Sequence, residues 1–339
     1  MKGRTRKPGK REGVLIIMRK ATLALLTVTL FLSGDLISEP IDPPQSSESV
    51  SVDYVLVPFI PLDRKGKPLS GLRETEVRLM VDGREVETDL FAHAASAPVS
   101  FTILLDGSGS MDLAGKMEGA RAALETLIAN RRTGDDYALF LSTSGGVQEL
   151  VPFSTRGDAI LSAFDMVEPF GKTAVFDAVM RMPDETVRGG NGSRAIILLT
   201  DGLDNASSIE RPALLRQLEG IEVPVYPLGL VSRALLLPAA GASFESRLDL
   251  GVLGDLARMS GGRLAIANAP EDLQKEIELV LSELRSQYLI GFAPSGKGTV
   301  RYRRIEMEID SRVSSVRVRT GYRGTDPPLA ARGGRSTSR

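Results

Sequence analysis

The stretch FTILLDGSGSM, Phe101 to Met111, decides how the chain is read. Phe101 to Leu105 is apolar apart from Thr102, as in a strand buried on both faces, and it delivers a carboxylate, Asp106. Two hydroxyls follow at alternate positions, Ser108 and Ser110, and the glycines between them let the backbone turn tightly so that three oxygens converge. Alone, this pattern is equally that of a Gly/Ser turn after a strand. Two further segments change the balance. Gly171-Lys172-Thr173-Ala174 sets a threonine just before a helix expected over 175–182, with Pro183 as its stop. Ala195 to Thr200 is a second buried strand, and it too ends on a carboxylate, Asp201.

Asp106, Ser108, Ser110, Thr173 and Asp201 are oxygen donors of the kind a hard cation takes. Mg²⁺ prefers six oxygens in near-octahedral array and keeps some as water. Three of the five donors are neutral hydroxyls, so only two carboxylates offset the dication and an outside carboxylate can complete its shell.

Outward from this centre the pattern is regular. Lys116 to Asn130 carries apolar residues at helical spacing (Met117, Ala120, Leu124, Leu127, Ile128), and Tyr137 to Leu141 is a strand. Ser207-x-x-Glu210 resembles a capping box opening a helix toward Leu218. Val223 to Leu228 and Arg263 to Ala267 read as strands, 250–259 as a helix closed by Gly261-Gly262, and Pro270 opens a helix reaching Leu284. Apolar strands alternating with amphipathic helices predict an α/β fold with a doubly wound, mostly parallel sheet, whose ligands sit at the carboxyl ends of strands.

The flanks are different. Val50 to Leu90 alternates as β structure with a hairpin signal at Asp82-Gly83, and β character returns at Tyr288 to Phe292, Ile305 to Ile309 and Val316 to Val318. The α/β domain (97–285) is therefore expected as an insertion between two halves of a small β domain, 50–92 and 286–323, with a Pro-, Gly-, Ser- and Arg-rich disordered tail over 324–339. Arg301, Arg303 and Arg304 read as a solvated strand face, Asp135-Asp136 as a turn, and Asp112, Asp204 and Asn205 as solvated loop positions.

Composition narrows the chemistry. The 339 residues contain no cysteine, which excludes disulfides, thiolate metal sites and cysteine nucleophiles. The single histidine, His93, reads as a surface or packed residue, and no His-rich metal site is possible. A formal net charge of -1 gives no electrostatic case for nucleic acid. At the N-terminus a basic run (Lys2 to Arg11, then Arg19-Lys20) precedes an apolar run from Ala21 to Leu32, the layout of a secretory signal over 1–34 followed by a Pro/Ser-rich linker over 35–49. The start, Met1 or Met18, is open, and an uncleaved anchor is the alternative to a cleaved signal. The apolar run is too short to span a bilayer in the mature chain.

Together, Asp106-x-Ser108-x-Ser110, the Thr173 segment and Thr200-Asp201-Gly202 resemble the metal-ion-dependent adhesion site of von Willebrand factor type A domains, over about Val99 to Leu284. The flanks from Val52 to Asp82 and from Ser286 to Tyr322 look like a bacterial group of exported proteins related to that family. The resemblance implies Mg²⁺ or Mn²⁺ on Asp106, Ser108, Ser110, Thr173 and Asp201. It also implies a protein partner offering a Glu or Asp side chain, and a periplasmic or secreted location. It implies no enzyme, and no nucleophile–base pair or phosphate-binding loop argues for one. Lys172 departs from the family pattern, where glycine commonly precedes the threonine, and adds a cation beside the site. Two alternatives remain: an envelope protein whose metal only stabilises the fold, and a metal-assisted hydrolase.

Overall fold

The computed structural model describes residues 54–230, 248–267, 269–309 and 312–330. The expected signal and linker lie outside the described residues. Among the described residues, no helix is long and apolar enough to cross a membrane.

Four strands come first: β1 (Val55–Leu62), β2 (Val77–Val81), β3 (Arg84–Glu85) and β4 (Leu90–His93). The α/β part follows, with β5 (Val99–Asp106), α1 (Lys116–Ala129), β6 (Asp136–Thr143), β7 (Gly146–Ser154), α2 (Gly157–Phe164), α3 (Val175–Thr186) and β8 (Ser193–Thr200). It continues through α4 (Arg211–Leu218), β9 (Val225–Leu230), α5 (Leu248–Ser260), β10 (Ala265–Ala267) and α6 (Pro270–Leu284). Four strands close the chain: β11 (Tyr288–Phe292), β12 (Arg301–Ile309), β13 (Ser315–Val318) and β14 (Gly321–Gly324).

The α/β part is built on one six-stranded sheet in the order β10-β9-β8-β5-β6-β7, parallel except for the edge strand β7. All eight residues of β5 are buried, as its unbroken apolar run requires. One face packs Phe101, Ile103 and Leu105 against Leu124 and Leu127 of α1 and Leu273 and Ile277 of α6. The other packs Leu104, Ile196 and Leu198 against Val179 of α3, Leu214 of α4 and Val252 and Leu256 of α5. This is the doubly wound arrangement the alternation predicted.

The flanking strands form two four-stranded antiparallel sheets, β13-β1-β11-β4 and β14-β12-β2-β3. Val57 and Phe59 of the first share one core with Leu79, Val81 and Ile305 of the second. Each sheet mixes strands from before and after the α/β part, so that part is an insertion in a β frame. Its entry and exit are adjacent, since His93 and Tyr288 are Cα partners across β4 and β11 and their rings stack 4.4 Å apart.

Several expectations change on contact with the structure. The helix expected to stop at Pro183 runs on to Thr186, whose Oγ1 bonds to Met182 O at 2.6 Å and to Thr102 Oγ1 at 2.7 Å, tying the last turn to β5. Ser207 does not cap α4; its hydroxyl donates to Asp204 Oδ2 at 2.6 Å and accepts from Asp177 N at 3.1 Å. Arg303 lies on no solvated face: it is buried and paired with Asp82 at 3.2 Å and Asp326 at 2.5 Å. The tail expected from 324 is held through its first residues, with Asp326 N donating to Lys297 O and Ala330 N to Glu85 O.

Candidate metal centre

The parallel register places the two strand ends side by side. Leu105 pairs with Leu199, so the next residues, Asp106 and Thr200, meet at the carboxyl edge of the sheet, and Thr200 Oγ1 donates to Asp106 Oδ2 at 2.7 Å. The chain runs from β5 to β6 on one side while β8 lies on the other, so this edge is the switch point where doubly wound sheets open a crevice.

The segments that carry the five residues meet there. Ser108 N donates to Asp106 Oδ1 at 3.0 Å, and the Ser108 and Ser110 hydroxyls lie 3.1 Å apart. Gly107 is needed for close approach: a Cβ there would fall 2.9 Å from Ser142 O and 2.8 Å from Leu141. The Thr173 loop is stitched to the same place, with Gly109 N donating to Gly171 O at 3.1 Å and Phe170 N to Gly107 O at 2.8 Å. On its other side, Thr173 N donates to Asn205 Oδ1 at 3.0 Å, and Ala206 N donates to Thr173 O at 2.8 Å. Asp106, Ser108, Thr173 and Asp201 are buried and Ser110 is half-buried. Hydrogen bonds thus draw the segments carrying the five residues to one edge of the sheet.

Asp204 and Asn205, read from sequence as solvated, are structural here. Asp204 Oδ2 accepts from Phe176 N at 2.9 Å, at the start of α3, and Asn205 holds the backbone of Thr173. A cation read from sequence is also reassigned. The Lys172 side chain is exposed, whereas Lys116 reaches in and donates from Nζ to Asp201 Oδ2 at 2.6 Å and to Ser110 O at 2.9 Å. Sequence reading saw Lys116 only as the first residue of a helix. The signal was available: a lysine opening a helix stands at the positive end of its dipole, where a cation is unfavourable.

The two carboxylates stand in different surroundings, Asp106 uncompensated by any cation among the described residues and Asp201 paired with Lys116. Burial pushes the Asp106 carboxyl up to about 6, against hydrogen bonds from Ser108 and Thr200 that hold it down, and the nearby Asp201 charge adds to the rise. A buried carboxylate in this position gains from any added positive charge, and Asp201 already grips one. Among the described residues no group of three or more His, Cys, Asp or Glu side chains is placed to hold a metal. The donor set is two carboxylates and three hydroxyls, hard oxygens suited to Mg²⁺ or Mn²⁺.

A doubly wound α/β domain with hydroxyls and carboxylates converging at its switch point defines the class. Residues 101–203 match the von Willebrand factor type A domain family, and the chain carries such a domain. Solved structures similar to the chain include a von Willebrand factor type A protein from Catenulispora acidiphila, with 14% identity, 81% of this chain and 74% of that chain covered, and a TM-score of 0.45. An aerotolerance-related membrane protein from Bacteroides fragilis shows 20% identity over 54% of this chain and 98% of its own, with a TM-score of 0.41. The pilus adhesin SpaC from Lactobacillus rhamnosus GG shows 9% identity over 79% of this chain and 50% of its own, with a TM-score of 0.45. No curated protein matches the sequence.

Proposed function

We propose that this protein is an exported binding module that holds Mg²⁺ or Mn²⁺ on Asp106, Ser108, Ser110, Thr173 and Asp201 and captures a Glu or Asp side chain of a partner protein. The carrying observation is the convergence of the Asp106, Thr173 and Asp201 segments at one crevice, fixed by the Thr200–Asp106 and Gly109–Gly171 hydrogen bonds. The bound ion would supply an open coordination position for the outside carboxylate. The chain's own residues would orient the hydroxyls and exclude bulk water from Asp106.

The rim supports a protein partner. Phe170 is 85% exposed and Leu113 61% exposed, and both lie within a few residues of site segments. Large apolar side chains offered to solvent beside a charged centre suit a partner whose acidic residue has apolar neighbours. The apolar run from Ala21 to Leu32 after basic residues supports export.

The test is calorimetric titration with Mg²⁺ and Mn²⁺, followed by binding to an array of peptides that each carry one Asp or Glu, with and without EDTA. Saturable metal uptake and EDTA-sensitive peptide binding are expected. Peptide binding indifferent to EDTA and to Asp106→Ala would sink the proposal. Metal uptake that raises the melting temperature without any metal-dependent peptide binding would leave the fold-stabilising alternative.

A further inference from the structure

We infer that Lys116 is a built-in counter-ion of the site, which weakens metal uptake and leaves the loaded site more cationic toward an acidic ligand. The inference rests on the metal-binding reading above.

Three observations converge on this lysine. It is 8% exposed, and its ammonium contacts Asp201, one of the two carboxylates of the donor set, and the carbonyl of Ser110, which belongs to a third donor. It opens α1, where a cation opposes the helix dipole, so no local preference explains it. The backbone is bent to bring it there: Ala114 and Gly115 stand at φ 59° and 72°, and the alanine takes a left-handed conformation that a side chain disfavours.

Charge bookkeeping gives the consequence. Asp106 and Asp201 together would neutralise a dication. With the Lys116 ammonium inside the same shell, the loaded site keeps a net charge of about +1, by the fixed charges of these side chains. Repulsion between two cations a few ångströms apart in a buried crevice is strong, so Lys116 opposes uptake. The same excess charge strengthens attraction for an incoming carboxylate. Lys116 thus sets the balance between holding metal and holding ligand.

The experiment is titration of the wild type, Asp106→Ala, Lys116→Met and Lys116→Arg with Mg²⁺ and with Mn²⁺, with melting curves in EDTA and in saturating Mg²⁺. Lys116→Met is expected to bind metal about tenfold more tightly than wild type and to show a larger Mg²⁺-induced rise in melting temperature. Lys116→Arg should stay close to wild type. A lysine that merely supports the fold predicts the opposite, weaker uptake in Lys116→Met. Equal or weaker uptake by Lys116→Met, with wild type binding normally, overturns the inference. No uptake by wild type overturns the metal reading instead. If Lys116→Met does not fold without metal, recovery of its fold by Mg²⁺ supports the competition, and failure to recover overturns it.

Discussion

Arg285 and Asp135, 150 residues apart, meet as a two-pronged ion pair, Nη2 to Oδ2 at 2.6 Å and Nη1 to Oδ1 at 3.1 Å. The arginine follows α6 and the aspartate precedes β6, so the pair ties the last helix of the α/β part to its central sheet. Asp135 also accepts from Val99 N and Arg132 N at 2.8 Å, and only 2% of the residue is exposed. It is no simple turn residue. Burial raises its pKa, but Arg285 and the two backbone donors outweigh that and hold it below the ordinary carboxylate range.

Removing one partner of a buried pair costs about 3 kcal/mol or more, so Asp135→Asn is expected to lose that much at neutral pH in urea denaturation. The sign with pH follows from linkage. A carboxyl depressed in the folded state contributes fully above its unfolded value, near 4, and loses its contribution as pH falls through the folded value. The gap between wild type and Asp135→Asn should therefore be constant from pH 7 to about 5 and shrink below 4. A gap that widens on acidification would contradict this assignment.

Asn205 touches no proposed ligand atom but holds the backbone of Thr173. Outer-shell partners of metal ligands are typically worth 10-fold or more in affinity. Asn205→Ala is expected to weaken Mn²⁺ uptake about tenfold with a small change in melting temperature, read by electron paramagnetic resonance titration.

Asp106→Ala and Thr173→Ala should each abolish measurable Mg²⁺ uptake while the fold survives, as followed by circular dichroism. In EDTA any stability gained by Asp106→Ala should be largest near neutral pH and fade as pH falls from about 6 to about 4, because burial holds the Asp106 carboxyl up to about 6 and its cost vanishes once it is protonated.

Phe170→Ser is expected to leave metal affinity unchanged and to weaken binding of any metal-dependent peptide ligand, since the ring is 85% exposed and makes no core contribution. Surface plasmon resonance against the best peptide of the array reads this directly.

Gly262 lies where a Cβ would stand 1.9 Å from Val225 O, between α5 and β9. That contact cannot be relieved by a side-chain rotation. Gly262→Ala should cost about 3 kcal/mol or more, visible as a lowered midpoint in thermal unfolding.

Much of this architecture was legible because its signals are local. A strand that is apolar throughout says that both faces are covered, and a carboxylate at its end says where the crevice opens, so Asp106 and Asp201 could be placed from sequence. The partners of long-range pairs could not. Nothing near Lys116 announces Asp201, and nothing near Asp135 announces Arg285. Arg303 looked like its neighbours Arg301 and Arg304 because the three are adjacent, yet strand pleating turns it inward to Asp82 and Asp326. The edge strand β7 was missed because its residues are mostly exposed or half-buried and carry no continuous apolar run.

The adjacency of His93 and Tyr288 bears on how the chain reaches its native state. Left to a flexible polymer, joining two points so far apart in sequence carries a loop-closure entropy that must be met before strands on opposite sides of the insert can pair. An insert that folds first delivers both ends already side by side. An α/β part that folds first would bring β4 and β11 together, and a substitution that slows its folding would then delay that pairing.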